Sequence, residues 1–425
     1  MKSDNRRWTL GLLLCGTAAA QSLTDAEHAA AVFDSAGAET ALRCDVKPVA
    51  PALNFGLRFQ AGYLVTFPLR QFTGSGHRLH VLLRVTPEGG PVAFLTDTVD
   101  LPDVPKTRMN AIIFGSVLVG EGNYRAAARV EDEQHRVCRA EWSMHARRDR
   151  AEQSLTPAMP PGTVAALSSA AAVRASTQNA DAGRLTVLLH AAPLRMRSSV
   201  LQPSDIQRLT GSLAAVLERV PASSVRLVVF NVDQQKELLR RDQFAAGDID
   251  SVTKALNELQ VGTVDYKVLR DPRGGAAMLA GILSAELREA KDGDAVVLLG
   301  PEARTLARLP ADAIERPGDN TARVFYLQFL PRPFGSAPQD PPPAGGRGTG
   351  GRGAGAGGGG GGGAGGAGRG GPGRGGTGGL PGRGGVGAPL PPDTIQRIVK
   401  RLKGAVLAVR TPQDFARAVA RVNRR

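Results

Sequence analysis

His190 closes the apolar run LTVLLH, and Ser198 and Ser199 follow in the stretch AAPLRMRSS. An imidazole near two hydroxyls has the ingredients of a base beside a nucleophile. Yet no G-x-S-x-G turn holds either serine, and no base is paired with one. A zinc site would need further His or Cys at ligand spacing, and none flanks His190. A lone histidine at a strand end is first of all a structural residue. The glycines of the 345–387 region do not make a phosphate loop, because no strand leads into them and no G-K-[ST] follows.

The cysteines say more about compartment than about catalysis. The N-terminus carries Lys2, Arg6 and Arg7, then the short apolar core LGLLLCG, then Ala18-x-Ala20 before Gln21. This order is that of an export signal cleaved between Ala20 and Gln21. The apolar run is too short to span a bilayer. A lipid anchor on Cys15 is the alternative, with Leu14 standing where a small residue is expected. Cleavage leaves Cys44 and Cys138, a pair that an oxidising compartment favours as a disulfide over two buried thiols. It also removes three cations and Asp4, taking the formal net charge from +14 to +12. The expectation is a periplasmic or secreted protein with no transmembrane segment, whose basic charge serves either polyanionic neighbours or, at least as readily, solubility and an Arg-rich linker.

Around these residues the chain changes character several times. After the signal (1–20), residues 21–49 are Ala-rich, with a short helix expected at DAEHAAAVF. From 50 to 147, runs such as NFGLRFQAGYLVTFPLRQF, RLHVLLRVTP and MNAIIFGSVLV are rich in β-favouring residues and punctuated by Gly, Pro and Asp. VEDEQHRVCRAEW reads as a hairpin turning at Asp132–His135. These short strands without helical period predict an all-β sandwich. Residues 148–183 read as a linker, with a helical piece around VAALSSAAAVRA.

From 184 to 334 strands and helices alternate. LTVLLH, SVRLVVFNV, DAVVLLG and ARVFYLQFL are strands buried on both faces. Between them, Ile206, Leu209, Leu213, Val216 and Leu217 line one helical face, and Ile249, Val252, Leu256 and Leu259 another, with Asp248 as N-cap. This is the pattern of an α/β, doubly wound, parallel-rich sheet. Residues 335–392 are Gly and Pro with scattered Arg, and bury too little apolar surface to order. Residues 393–425 then supply a helix capped by Asp393, the strand AVLAV, and a helix starting Thr411-Pro412 with Asp414 closing a capping box. The Gly-rich tract is thus an insertion in the α/β domain.

Several stretches from 185 onward resemble, in order, pieces of the von Willebrand factor A domain, a Rossmann-like fold. RLVVFNVDQQKELLR resembles its second strand and hairpin, GGAAMLAGILSAEL the helix after its glycine-threonine loop, and TIQRIVKRLKGAVLAVRTPQDFARAVARV its closing helix–strand–helix. GEGNYRAAARVEDEQHRVCRAEW resembles the last hairpin of bacterial immunoglobulin-like domains. The first resemblance implies an Asp-x-Ser-x-Ser metal motif at the end of the first strand, joined by Thr and Asp from later loops. Here those places read His190-Ala191-Ala192-Pro193-Leu194, DPRGGAAM lacks the Thr (Thr263 lies upstream), and Gly300-Pro301-Glu302 replaces Thr-Asp-Gly. The resemblance therefore implies a domain whose metal site is lost, and no cofactor is expected.

Open α/β sheets bind at the C-terminal ends of their strands. That rim would carry His190, Arg195 and Arg197 from one loop and Arg270, Asp271 and Arg273 from another. The expectation is a non-catalytic protein using this rim on a protein or acidic polymer of the cell envelope. The alternative is polyanion or nucleic-acid binding through Arg347, Arg352, Arg369, Arg374 and Arg383. Nucleic acid ranks lower, since that tract has no aromatic for base stacking.

Overall fold

A computed structural model describes residues 22–35, 40–167, 182–194, 201–259, 266–271, 273–304, 314, 322–331 and 393–424. The export signal and the whole 335–392 tract lie outside these residues. The described chain is sheet-rich and mixed, with three sheets and flanking helices.

Two of the sheets are antiparallel. The first runs β1 (Ser22–Leu23), β6 (Ala93–Asp100), β5 (Arg78–Pro87), β8 (Gly122–Asp132), β9 (Arg136–Ala146), β2 (Thr40–Ala41), in which only the short β2 runs parallel to its neighbour. The second runs β10 (Val164–Ala166), β7 (Asn110–Val119), β4 (Phe59–Pro68), β3 (Asp45–Leu53). Alternation along β4 and β5 sends Phe59, Tyr63, Val65, Leu79, Val81 and Leu83 into one core shared by both sheets. Helix α1 (Ala26–Asp34) covers the outer face of the first sheet through Ala29 and Phe33. Cys44 and Cys138 form a disulfide across 94 residues, a closure worth at most roughly 4–5 kcal/mol on the chain-entropy estimate.

The helix expected at DAEHAAAVF forms as α1, and within 21–49 β1, β2 and the first half of β3 add strands to the sheets. One expectation needs correction here: 148–183 is not a plain linker. Val164–Ala166 pairs with β7 as β10, and Leu155 is buried. Pairing gives these backbone groups partners at once, whereas a short Ala-rich helix in water must first meet its nucleation cost. The rest of that proposed helix lies outside the described residues.

The third sheet has the order β13 (Lys236–Arg241), β12 (Val225–Asn231), β11 (Leu185–His190), β14 (Ala295–Pro301), β15 (Arg323–Phe329), β16 (Ala405–Val409). All pairs are parallel except β12–β13, a hairpin. The period of two divides each strand between two cores. Leu185, Val187, Leu189, Val229 and Leu327 meet α2 (Pro203–Arg219), α3 (Ile249–Asn257) and α7 (Pro412–Asn423). Leu188, Val228, Leu298 and Tyr326 meet α5 (Gly274–Glu289) and α6 (Thr394–Arg401). Continuous apolar runs are required because both faces are covered. Asp393 and Thr411 cap α6 and α7 as expected, the latter in a full capping box with Asp414. Asp248 stands at the N-cap of α3 as expected, but its carboxylate accepts from the Ala245 amide rather than from the helix, since a 3-10 turn over Ala246–Asp248 has already placed it in helical geometry.

The loop 54–58, between β3 and β4, plugs into the core beside the third sheet. Phe55 stacks on Phe415 at 4.8 Å and meets Phe329 at 5.5 Å. Around it, Arg58 pairs with Glu218 at 2.8 Å, Gln60 donates to Gln207 at 2.6 Å, and Arg219 donates to the Gly56 carbonyl at 2.9 Å. All described residues fall in one compact unit.

Candidate functional site

The strands β11, β12, β14 and β15 point their C-terminal ends the same way, and the order reverses between β11 and β14. Such a crevice is where open α/β sheets bind ligands. Here it is closed by a buried polar network. His190 pairs opposite Phe230 in the β11–β12 register and its ring stacks on that phenyl at 5.4 Å. Its Nδ1 lies 3.0 Å from the Pro301 carbonyl, so Nδ1 carries the proton and donates. Tyr326 Oη donates to the same carbonyl at 2.9 Å.

Asp393 ties the next layer together. One carboxylate oxygen accepts from the Ala303 and Ile395 amides, and the other from Gln328 Nε2 at 2.8 Å. The side chain that caps α6 thus also anchors the β14 loop and β15. Asn231, fully buried, donates to the Ala191 carbonyl and accepts from the Gln234 amide at 2.7 Å. Gly300 permits the tight packing of β14 against β11. Its φ is +144°, and a Cβ there would come within 2.7 Å of the His190 carbonyl oxygen.

Burial sets the electrostatics. It drives the His190 pKa below its ordinary value, and the Pro301 carbonyl, Asp233 and Asp393 oppose this only in part. Burial raises the Asp393 carboxyl, against the pull of the Ala303 amide and the Tyr326 hydroxyl. It also pushes the Tyr326 phenol well up, with Asp393 adding to the effect. His190 is therefore a neutral imidazole, 1% exposed, whose Nε2 has no partner among the described residues.

The expected rim is accordingly corrected at its first member. His190 faces the protein interior, because Phe230 and the β14 end cover it, so it cannot touch a partner directly. Arg270, Asp271 and Arg273 are exposed. Arg270 ends α4 (Tyr266–Arg270) and Asp271 and Arg273 follow it, and Gln235 Nε2 donates to the Asp271 carbonyl at 2.6 Å. Because Gln235 follows the end of β12, this segment does sit at the C-terminal end of the sheet. Gly275 reinforces the placement, since a Cβ there would meet the Val232 carbonyl at 2.5 Å. Arg195, Arg197 and Thr263, with Arg347, Arg352, Arg369, Arg374 and Arg383, lie outside the described residues.

Sequence reading missed two features. Tyr266 and Leu269 are 70% and 66% exposed on α4, with the Arg270 guanidinium 5.8 Å from the Tyr266 ring centre. The second is the network itself, whose signal was polar residues inside two of the apolar strands: Asn231 in β12, and Tyr326 and Gln328 in β15. Among the described residues, no group of three His, Cys, Asp or Glu is placed to hold a metal ion. No described helix is long and apolar enough to cross a membrane.

No family model matches the chain, and no curated protein matches it. Among solved structures, a hypothetical protein from Pyrococcus horikoshii is similar over 26% of this chain and 90% of its own, at 16% identity and a TM-score of 0.17. The reduced superoxide reductase (neelaredoxin) from Archaeoglobus fulgidus is similar over 26% of this chain and 93% of its own, at 11% identity and a TM-score of 0.19. That from Ignicoccus hospitalis covers 29% of this chain and all of its own, at 13% identity and a TM-score of 0.18. Likeness at these scores carries no argument about activity.

Proposed function

We propose that this chain is an exported, non-catalytic interaction protein. In this reading an immunoglobulin-like β-sandwich is fused to a von Willebrand factor A-like domain that binds without metal. The observation that carries it is the closed end of β11. Where the resembled family places oxygen ligands, this chain has His190 locked to the Pro301 carbonyl, then Ala191 and Ala192, both buried. A buried neutral imidazole with its N–H already spent offers a hard cation nothing that replaces a carboxylate. The exposed Tyr266, Leu269, Arg270 and Arg273 have the composition of a protein-contact patch, where aromatic and Arg side chains dominate binding energy. The disulfide fits an oxidising compartment.

The test is calorimetric titration of Mg²⁺, Mn²⁺ and Ca²⁺ into the full chain, with thermal melts alongside. Flat titrations and an unmoved melting temperature are expected. Saturable binding with a raised melting temperature would overturn the reading and make a metal-bridged carboxylate the better model.

A further inference from the structure

The six-stranded sheet treats its two edges differently. At one end β13 carries Lys236, Glu237, Arg240 and Arg241, charges that discourage another strand from adding. The outer strand β3 of the sandwich is guarded by Asp45, Lys47, Pro48 and Pro51. The remaining outer strands β1, β2 and β10 have three residues or fewer. At the other end of the α/β sheet, β16 reads Ala405-Val406-Leu407-Ala408-Val409, with neither charge nor proline. It pairs with β15 on one side only, no other described strand pairs with it, and Ala408 is exposed. Five residues span about 17 Å of open backbone donors and acceptors.

Beside the start of this edge lies an open groove of about 720 Å³. Arg323, Lys403, Arg417, Arg421 and Arg424 line it, and among the described residues no acidic one does. Arg323 is partly spent on the Val422 and Arg424 carbonyls, and Arg417 on Asp414. Lys403, Arg421 and Arg424 are exposed, and their side chains have no partner among the described residues. Gly404 brings the Lys403 turn this close to the sheet, since a Cβ there would meet the Val324 carbonyl at 2.6 Å.

We infer that β16 and this groove together receive an extended acidic peptide of a partner protein, added to the sheet as a seventh strand. The backbone of β16 supplies the hydrogen bonds, and Lys403, Arg421 and Arg424 receive carboxylates at one end of the peptide. Charge complementarity sets the sign of the partner. A single-stranded nucleic acid fits less well, because Phe325, the one aromatic among the described residues lining the groove, is buried and offers no stacking face. This surface lies at the N-terminal ends of β15 and β16, opposite the Arg270–Arg273 rim, and does not depend on how that rim is used.

The test is fluorescence anisotropy on the full chain with a labelled seven-residue peptide of alternating Glu and Val. Two further probes are the same peptide N-methylated on alternate amides and an oligothymidylate of similar charge. The peptide is expected to bind at low salt. Lys403→Glu with Arg421→Glu should weaken it roughly tenfold or more, and N-methylation by a similar factor. Both substituted residues are exposed and unpaired, so an unchanged melting temperature will certify the fold. Equal binding of the methylated peptide would reduce the site to charge attraction alone and overturn strand addition. Tighter binding of the oligothymidylate would overturn the choice of partner. Absence of peptide binding, or indifference to the charge reversal, would overturn the site itself.

Discussion

Replacing Phe55 by alanine is expected to uncouple the two antiparallel sheets from the parallel-rich third sheet. The ring is 9% exposed and belongs to the α/β core, although its backbone belongs to the loop between β3 and β4. Truncating a buried Phe costs about 3–5 kcal/mol through lost transfer energy and the cavity left behind. Because Phe55 sits at the margin of its core, a loss near the lower figure, about 3 kcal/mol, is expected. The nearly parallel stack on Phe415 is lost as well. Phe55→Leu keeps most of the volume and should cost only about 1 kcal/mol.

The assay is urea unfolding with two probes. Fluorescence of Trp142, which lies on β9, reports the antiparallel sheets. Far-ultraviolet circular dichroism reports the α/β part, which holds six of the seven described helices. In the unsubstituted chain the two transitions should coincide, as for one cooperative unit. In Phe55→Ala they should separate. Separate transitions in the unsubstituted chain, or a Phe55→Ala loss below about 0.5 kcal/mol with coincident probes, would refute the claim that this plug joins the two parts.

Two pH effects follow from buried titratable groups. The folded chain resists protonating His190, while the unfolded chain takes up that proton below about pH 6.5. His190 therefore subtracts stability as pH falls through 6.5 toward its depressed folded value, by up to about 1.4 kcal/mol per pH unit. His190→Asn, whose amide nitrogen can still donate to Pro301, should flatten that fall in thermal melts taken from pH 7 to 5. His77 has the opposite sign, raised chiefly by its hydrogen bond to Glu133, and cancels in this comparison because both proteins keep it. Asp97 is the other group. Burial lifts its carboxyl to about 6 from 3.8. The folded state then favours the protonated form, so this stability is present below pH 3.8 and lost as pH rises through 6. Asp97→Asn should stabilise the chain at pH 7.5 by on the order of 1–2 kcal/mol, after discounting for solvent screening at a half-buried site. That gain should vanish toward pH 4, and a gain independent of pH would assign the effect to packing instead.

The sequence by itself determined the elements of this protein and little of their chemistry. The runs LTVLLH, RLVVFN and AVVLLG could only be strands covered on both faces, because neither face could meet water without exposing Leu or Val. Thr411-Pro412 with Asp414 marked a helix start through groups only three residues apart. Such signals are local, and locality is why they are legible. Tertiary structure decided everything that depends on residues distant in the chain. Val164–Ala166 read as the start of a helical piece in a linker until β7 supplied its hydrogen-bond partners. His190 read as a rim residue until Pro301 and Phe230, brought over by β14 and β12, enclosed it. Asp393 read as a cap alone, and only the placement of α6 against β15 made its carboxylate the acceptor for Gln328. The bare edge of AVLAV acquired meaning last, once β16 proved to be the outermost strand with five cations gathered at its start. Order within a sheet is a long-range property that hydrophobic period cannot encode.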